Sequence, residues 1–273
     1  MLVIPLDAFL PDGMGVEMLA LVMLVAFAAG WVDAVVGGGG LLQLPALLLV
    51  PGLAPVQALA TNKLSSIFGT ATASVTYVRR IRPDMRTALP MAGFAVAGSF
   101  GGAAVATVLP PEVFKPIIVV ALLSVAIFVA VRPMMGAATS LRFERGRHLV
   151  IACALGVVIG FYDGLLGPGT GTFLIIALVS VLGYDFMASS AKAKIVNLGT
   201  NLGALALFIP TGNVVWGLGL SMAVMNMAGG YLGSRTAIAK GSGFVRVVFL
   251  IVVGVLILKL GHDVWVESIA GRI

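Results

Sequence analysis

The chain has 273 residues, of which 60% are hydrophobic and only 10% are charged, and its mean hydropathy is +1.11. These values exclude a water-soluble globular fold, because so few polar residues cannot cover so much apolar surface. The formal net charge of +6 comes mostly from basic residues at the ends of apolar segments. That distribution is typical of the cytoplasmic loops of membrane proteins and not of a nucleic-acid-binding surface.

Apolar runs of about 20 residues recur along the chain, and this is the length that a helix needs to cross the hydrocarbon core of a bilayer. Backbone hydrogen bonds must be satisfied within the membrane, which favours helices. We therefore predict an all-α, polytopic membrane protein. The predicted runs are Met18–Val36, Val56–Val78, Met91–Leu109, Phe114–Val131, His148–Leu166, Met187–Ile209, Val214–Tyr231 and Phe244–Leu260.

Short motifs that recur in the same order indicate two related halves. The pattern D-x-x-x-G-x-G begins at Asp33 and again at Asp163, an offset of 130 residues. The run A-T-N-K-L, which contains Lys63, aligns with A-K-A-K-I, which contains Lys194, at an offset of 131 residues. We predict a first repeat over residues 1–134, a basic cytoplasmic linker over 135–147 and a second repeat over 148–273.

Equivalent loops of the two halves differ in charge. The loop 79–86 contains four arginines, whereas its counterpart around 210–213 has no charge. Because positive charge marks the cytoplasmic side, equivalent loops are expected to face opposite sides of the membrane. This predicts inverted-topology repeats, a construction that many secondary transporters use. Each repeat is predicted to open with a glycine-broken helical hairpin, followed by three transmembrane helices.

The two hairpins are the apolar segments 18–50 and 148–182, which glycines interrupt at 37–40 and 167–171. Glycine, with Pro168 in the second break, ends the helical hydrogen-bond ladder. The second arm of each hairpin is about 15–17 Å long as a helix, too short to span about 30 Å. Segment lengths leave open whether the arms are re-entrant or two short crossings.

The glycine breaks are predicted to hold an anion, because helices that begin at Leu41 and Thr172 would point their positive dipole ends into the protein. The alternative is close packing of small residues, which explains Gly98 and Gly101 well but four consecutive glycines poorly. The predicted substrate-binding residues are Gly38, Gly39, Gly40, Gln43, Asn62, Lys63, Gly169, Thr170, Gly171, Thr172, Lys194 and Asn197.

Charged residues inside the apolar runs complete the predicted site. Lys63, Lys192 and Lys194 lie roughly 10–14 Å inside their helix starts and could point toward a bound anion, although they could also snorkel to lipid headgroups. Asp33 and Asp163 precede the two breaks by one turn and are candidates for proton coupling or gating. The structural alternative is that each aspartate caps broken-helix amides or pairs with a lysine of the other half.

Other classes of function are weaker. The chain has one cysteine, Cys153, and lacks G-x-x-x-x-G-K-[ST], so we predict no metal, no cofactor and no ATP hydrolysis. An intramembrane aspartyl protease is disfavoured because no G-x-G-D is present. A passive channel or a membrane-assembly partner stays an alternative. The predicted partners are a small anion and membrane lipid but no nucleic acid, and a homo-oligomer stays open.

Five segments of the chain resemble the sulfite exporter TauE/SafE family. They are Gly30–Gly40, Ala60–Lys63, Gly160–Gly164, Gly167–Gly171 and Lys194–Asn197. The resemblance covers nearly the whole chain. It implies a multi-spanning permease of the bacterial plasma membrane for sulfite, sulfonates or related organic acids, and no enzyme. We expect alternating access and export, since a membrane that is negative inside drives anions outward, whereas uptake would need co-transported protons.

Overall fold

The computed structural model describes residues 14–110 and 139–270, with side chains excluded at 242, 245, 246, 249, 250 and 252–270. The predicted segment Phe114–Val131, the first part of the predicted linker (135–138) and residues 1–13 lie outside these residues. Within the described ranges the chain is helical and has no strand. The helices are α1 Val16–Val36, α2 Gly40–Leu48, α3 Pro55–Ile81, α4 Met85–Val108, α5 Arg145–Leu165, α6 Thr170–Ala177, α7 Phe186–Phe208 and α8 Trp216–Ala270.

Three of these helices, α1, α4 and α5, are long and apolar enough to cross a membrane. A shorter apolar segment runs through α6 and continues as π-helix over Leu178–Leu182. Helix α8 is interrupted at Gly241, whose φ of 73° and ψ of −173° are not helical. This break separates the two C-terminal runs that the hydropathy pattern predicts.

The three long helices that the structure describes in each predicted half pack mainly on helices of the other half. Helix α8 packs against α1 and α3, and α4 packs against α5 and α7. Glycines permit these contacts: a Cβ on Gly160 would lie 2.5 Å from the carbonyl oxygen of Ala95, and one on Gly230 would lie 2.7 Å from that of Gly69. Helices therefore approach to backbone contact, as small residues allow in membranes.

Two apolar clusters lie at opposite ends of the helices. The short arm α2 contributes Leu44 and Leu47 to a cluster with Leu59 near the start of α3 and Phe208 at the end of α7. The short arm α6 and its π-helical continuation contribute to the other cluster, with Tyr77 near the end of α3 and Phe186 at the start of α7. The two broken hairpins thus return toward opposite ends of the bundle.

Candidate functional site

The two glycine breaks meet in the interior of the protein. The backbone N–H of Thr172 donates to the carbonyl oxygen of Gly37 at 3.1 Å, and its Oγ1 donates to the carbonyl oxygen of Val36 at 3.0 Å. A Cβ on Gly171 would lie 2.6 Å from the Cα of Gly37. Any larger side chain here would separate the breaks, so glycine is required by the contact between them.

Glycine is also required by the backbone conformation of the breaks. Gly37 ends α1 with a φ of 82°, and its N–H donates to the carbonyl oxygen of Asp33. Gly167 and Gly169 flank Pro168 with φ values of 86° and 80°, and α6 begins at the next residue. Side chains with a Cβ are strained in this left-handed region, whereas glycine adopts it freely. Glycine therefore lets the chain change direction at these positions.

The first buried ion pair joins the two halves. Lys63 of α3 lies 2.6 Å from Asp163 of α5, measured from Nζ to Oδ2, and each side chain is only 2% exposed. Thr170 Oγ1 donates to the other carboxylate oxygen of Asp163 at 2.6 Å. Burial of both charges is costly in itself, so the pair and its hydrogen bond are needed to keep either charge inside.

The second ion pair joins the equivalent residues in the opposite sense. Lys194 of α7 lies 2.9 Å from Asp33 of α1, again from Nζ to Oδ2, and also donates to the backbone carbonyl of Asp33. Lys194 is fully buried, whereas Asp33 is 16% exposed. Each lysine is therefore paired with the aspartate of the other half, which is the structural alternative that the sequence left open.

A small polar cavity lies between these pairs. The volume in which the centre of a water molecule fits is about 20 Å³. That is enough for roughly one water and too little for an oxyanion of several heavy atoms. Three of its buried polar atoms have no hydrogen-bond partner among the described residues: Asn62 Oδ1, Thr70 Oγ1 and Asn201 Nδ2. Its walls are formed by Asp33, Gly37, Gly40, Asn62, Lys63, Ser66, Thr70, Asp163, Gly167, Gly169, Thr170, Gly171, Asn197 and Asn201.

Most of the residues predicted from sequence line this cavity, but five do not. Gln43 is buried on α2, where its Oε1 accepts from Asn226 at 2.7 Å, and Thr172 bonds to the first break. Gly39 packs closely against α1, where a Cβ on it would lie 2.6 Å from the Cβ of Asp33. Lys194 reaches the site through its ion pair with Asp33. The five residues outside the lining are Gly38, Gly39, Gln43, Thr172 and Lys194.

Helical spacing identifies three lining residues that are absent from the predicted set of binding residues, Ser66, Thr70 and Asn201. Ser66 and Thr70 follow Lys63 at three and seven positions, and Asn197 and Asn201 follow Lys194 at the same two intervals. Residues at i, i+3 and i+7 share one helix face. The repeated interval in both halves is a signal for one continuous polar stripe on α3 and another on α7.

A second polar cluster lies near the start of α7, around the buried Lys192. Its Nζ donates to the backbone carbonyl of Asp84 at 2.8 Å, lies 3.6 Å from the Asp84 carboxylate and sits 4.3 Å above the Tyr184 ring. Tyr184 in turn contacts His148 through a 2.8 Å hydrogen bond. A cavity of about 390 Å³ lies beside this cluster.

Two groups of this cluster lie in loops outside the long helices. Partial burial raises the pKa of the Asp84 carboxyl, but the hydrogen bond from Thr87 and the charge of Lys192 outweigh it and hold that pKa below 3.8. Burial raises the pKa of the Tyr184 hydroxyl above its usual 10.0, although its hydrogen bond with Thr87 opposes the change. Asp84 is therefore charged and Tyr184 neutral at physiological pH.

The comparisons with known proteins identify the family. The sequence profile of the family described as Sulfite exporter TauE/SafE matches residues 22–260. The chain belongs to this family. Within the described ranges 14–110 and 139–270, no group of three or more His, Cys, Asp or Glu side chains could hold a metal ion.

Relatives match over most of their length. The chain is 37% identical to a "Probable membrane transporter protein ORF9" of Sinorhizobium sp, over 90% of this chain and 94% of the relative. It is 33% identical to a "Probable membrane transporter protein YfcA" of Escherichia coli K12, over 90% of each. A "Probable membrane transporter protein" of Haemophilus influenzae is 31% identical over 91% of this chain and 96% of the relative. No solved structure matches.

The family and its relatives identify the chain as a membrane transport protein, which agrees with the apolar helices α1, α4 and α5. The predicted resemblance to the TauE/SafE family is confirmed.

Proposed function

We propose that this protein is a secondary transporter that moves small anions, such as sulfite, organosulfonates or related oxyanions, across the bacterial inner membrane. The observation that carries the proposal is the reciprocal pairing of two buried lysines, Lys63 and Lys194, beside one polar cavity. Each lysine could exchange its aspartate for a bound anion, and the adjacent amides and hydroxyls offer hydrogen bonds.

An inverted repeat accounts for this pairing. Exchanging α1 with α5, α3 with α7 and α4 with α8 converts the first ion pair into the second and reproduces the main helix contacts. The return of the two hairpins toward opposite ends of the bundle supports the same symmetry. We propose a multi-pass protein in which the two repeats rock against each other about the shared site.

The small cavity supports a carrier mechanism. An oxyanion does not fit into about 20 Å³, so binding requires the two halves to move apart at the site. The close backbone contact between Gly37 and Gly171 would have to open for an anion to enter the site. A passive channel is therefore the weaker alternative, since it needs a continuous water-filled path.

Export is the simplest direction energetically. A membrane potential that is negative inside drives each negative charge outward with about 2.3 kcal/mol per 100 mV, and a dianion gains roughly twice that without any coupled ion. We propose Asn62, Asn197, Thr170 and the amides of the glycine breaks as ligands, with Lys63 and Lys194 as the charges that attract the anion.

Proton-coupled uptake is a second candidate, and the ion pairs favour it specifically. The two lysines and two aspartates have no net charge together, so an arriving anion meets no free positive charge. Protonation of Asp33 or Asp163 would release its lysine to the anion, and proton and anion would then cross together. In this reading the aspartates couple transport to the pH gradient, whereas in simple export they only keep the empty site neutral.

Transport assays in proteoliposomes test both readings. Efflux and uptake of labelled sulfite, sulfonates and carboxylates are measured under imposed voltage and pH gradients. We expect saturable transport that Lys63→Met and Lys194→Met each reduce at least about tenfold, the effect of losing one charge-assisted contact. The control is Lys240→Met, because Lys240 is exposed and lies outside the cavity lining. Unchanged transport in both site variants would overturn the proposed site.

A further inference from the structure

A groove separate from the proposed transport site lies between the end of α3 and the middle of α8. Its volume is about 460 Å³, and the cationic side chains that line it are Arg79, Arg80 and Arg235. No acidic residue is among its lining residues. A groove with three guanidinium groups and no carboxylate in its walls is suited to an anionic ligand, especially one with phosphate oxygens.

The arginines are available to a ligand. Arg79 and Arg80 are exposed and form no ion pair with any described residue. Arg235 donates from Nη1 to the Tyr231 hydroxyl oxygen at 2.8 Å and lies 5.4 Å from the centre of that ring. The tyrosine orients the Arg235 guanidinium, and the other N–H groups of this guanidinium can donate to a ligand.

An apolar strip leads away from the arginines along both helices. On α3 it contains Val75, 49% exposed, and Phe68 seven residues earlier, 40% exposed. On α8 it contains Val224, 63% exposed, seven residues before Tyr231. A spacing of seven keeps residues on one helix face. The helices run side by side here, because Gly230 meets Gly69. The strip extends roughly 16 Å from the arginines.

We propose that this groove binds an anionic phospholipid of the surrounding bilayer. The lipid phosphate would contact Arg79, Arg80 and Arg235, and one acyl chain would follow the strip from Val75 to Phe68 on α3 and from Tyr231 to Val224 on α8. The charges and the strip together decide the class of ligand: a free inorganic anion uses the arginines but has nothing to place against the apolar walls. Basic pockets between helices bind anionic headgroups in this way.

Native mass spectrometry of the purified full-length chain tests the proposal with defined lipids. Phosphatidylglycerol and phosphatidylcholine of identical acyl chains are titrated against the wild type and the triple variant Arg79→Gln, Arg80→Gln and Arg235→Gln. We expect preferential binding of phosphatidylglycerol by the wild type and a loss of affinity of at least about tenfold in the triple variant. A matched control removes the same charge elsewhere, by Arg86→Gln, Arg145→Gln and Arg147→Gln.

Equal phosphatidylglycerol binding by the triple variant and the wild type would overturn the proposal, as would an equal loss in the control variant. Glycerol phosphate and sulfite are added as competitors. If either displaces the lipid at concentrations near those of the lipid itself, the groove is a free-anion site and the proposal is wrong. Should the triple variant not fold, the single substitution Arg80→Gln on the exposed surface is used, and lipid-dependent thermal stabilisation is measured in its place.

Discussion

The two ion pairs occupy equivalent places in the two halves but differ in their surroundings. Asp163 is buried and accepts a hydrogen bond from Thr170, whereas its counterpart Asp33 is 16% exposed and is contacted by Lys194 through both its carboxylate and its backbone oxygen. Glycine stands at position 40, which is equivalent to Thr170, so the first break has no hydroxyl to offer. This difference between the repeats gives only one of the two related carboxylates a hydroxyl donor.

Equivalent residues near the two ends of the bundle also differ in the contacts that they make. Thr61 accepts a hydrogen bond at 3.1 Å from the N–H of Val215, in the loop before α8. Its equivalent, Lys192, contacts Asp84 in the loop before α4 with both a hydrogen bond and an ion pair. One end is held by a neutral contact and the other by charges. If the repeats alternate, the end at Lys192 is the one whose opening depends on salt.

Removing each lysine in turn is expected to give the largest difference in stability between the two ion pairs. Lys63→Met leaves the buried Asp163 without its partner and should lower the free energy of unfolding by about 3–5 kcal/mol. Lys194→Met should cost less, because Asp33 is partly exposed and can be hydrated. Denaturant unfolding in mixed micelles measures both. The double variant Lys63→Met with Asp163→Asn should recover part of the loss, and equal costs for the two lysines would contradict the comparison.

Substitution of the glycine between the breaks is the next largest expected effect. In Gly171→Ala the new Cβ would lie 2.6 Å from Gly37 Cα, so the breaks must separate, at a cost of about 2–4 kcal/mol. Gly93→Ala is the control, since no atom lies within 4 Å of a Cβ there. Its stability should equal or slightly exceed that of the wild type, because alanine favours a helix. A stable Gly171→Ala protein would show that the breaks do not need this contact.

Two threonines of the second break allow a smaller and sharper test. Thr170→Val removes a donor to the charged Asp163 and should cost about 1.5–3 kcal/mol, whereas Thr172→Val removes a donor to a neutral carbonyl and should cost about 1 kcal/mol. Thermal unfolding of the two purified variants gives the order. The reverse order would mean that Asp163 does not depend on Thr170 for its stabilisation.

The smallest expected effect concerns Asp84 and pH. Because its folded pKa lies below the usual 3.8, the charged carboxylate adds stability at pH values above 3.8, and this contribution disappears as pH falls through the folded pKa. Asp84 is 45% exposed, so the contribution should stay below about 1 kcal/mol. Asp84→Asn keeps a residue that caps helices and removes only the charge. The stabilities of variant and wild type should differ near neutral pH and converge below pH 3.8, and a constant difference would contradict this assignment.

The sequence predicts much of the site because its main signals are local. Glycine runs mark where a helix must break, and the positions of Lys63 and Lys194 within their apolar runs allow them either to point inward or to snorkel to headgroups. Both lysines are buried, at 2% and 0% exposure. The two short helices begin at Gly40 and Thr170, within two residues of the starts predicted from the sequence at Leu41 and Thr172. Gln43 shows the limit, since nothing in its neighbours along the chain indicates a bond to Asn226.

The amino-acid sequence by itself determined that this protein is helical, that it belongs in a membrane, and where its helices break, because hydropathy, helix length and backbone freedom are properties of consecutive residues. Only the tertiary structure decided that Lys63 pairs with Asp163 and Lys194 with Asp33, that Gly37 touches Gly171, and that the space between them is small. These facts depend on how distant helices cross and approach, and no local pattern specifies that geometry.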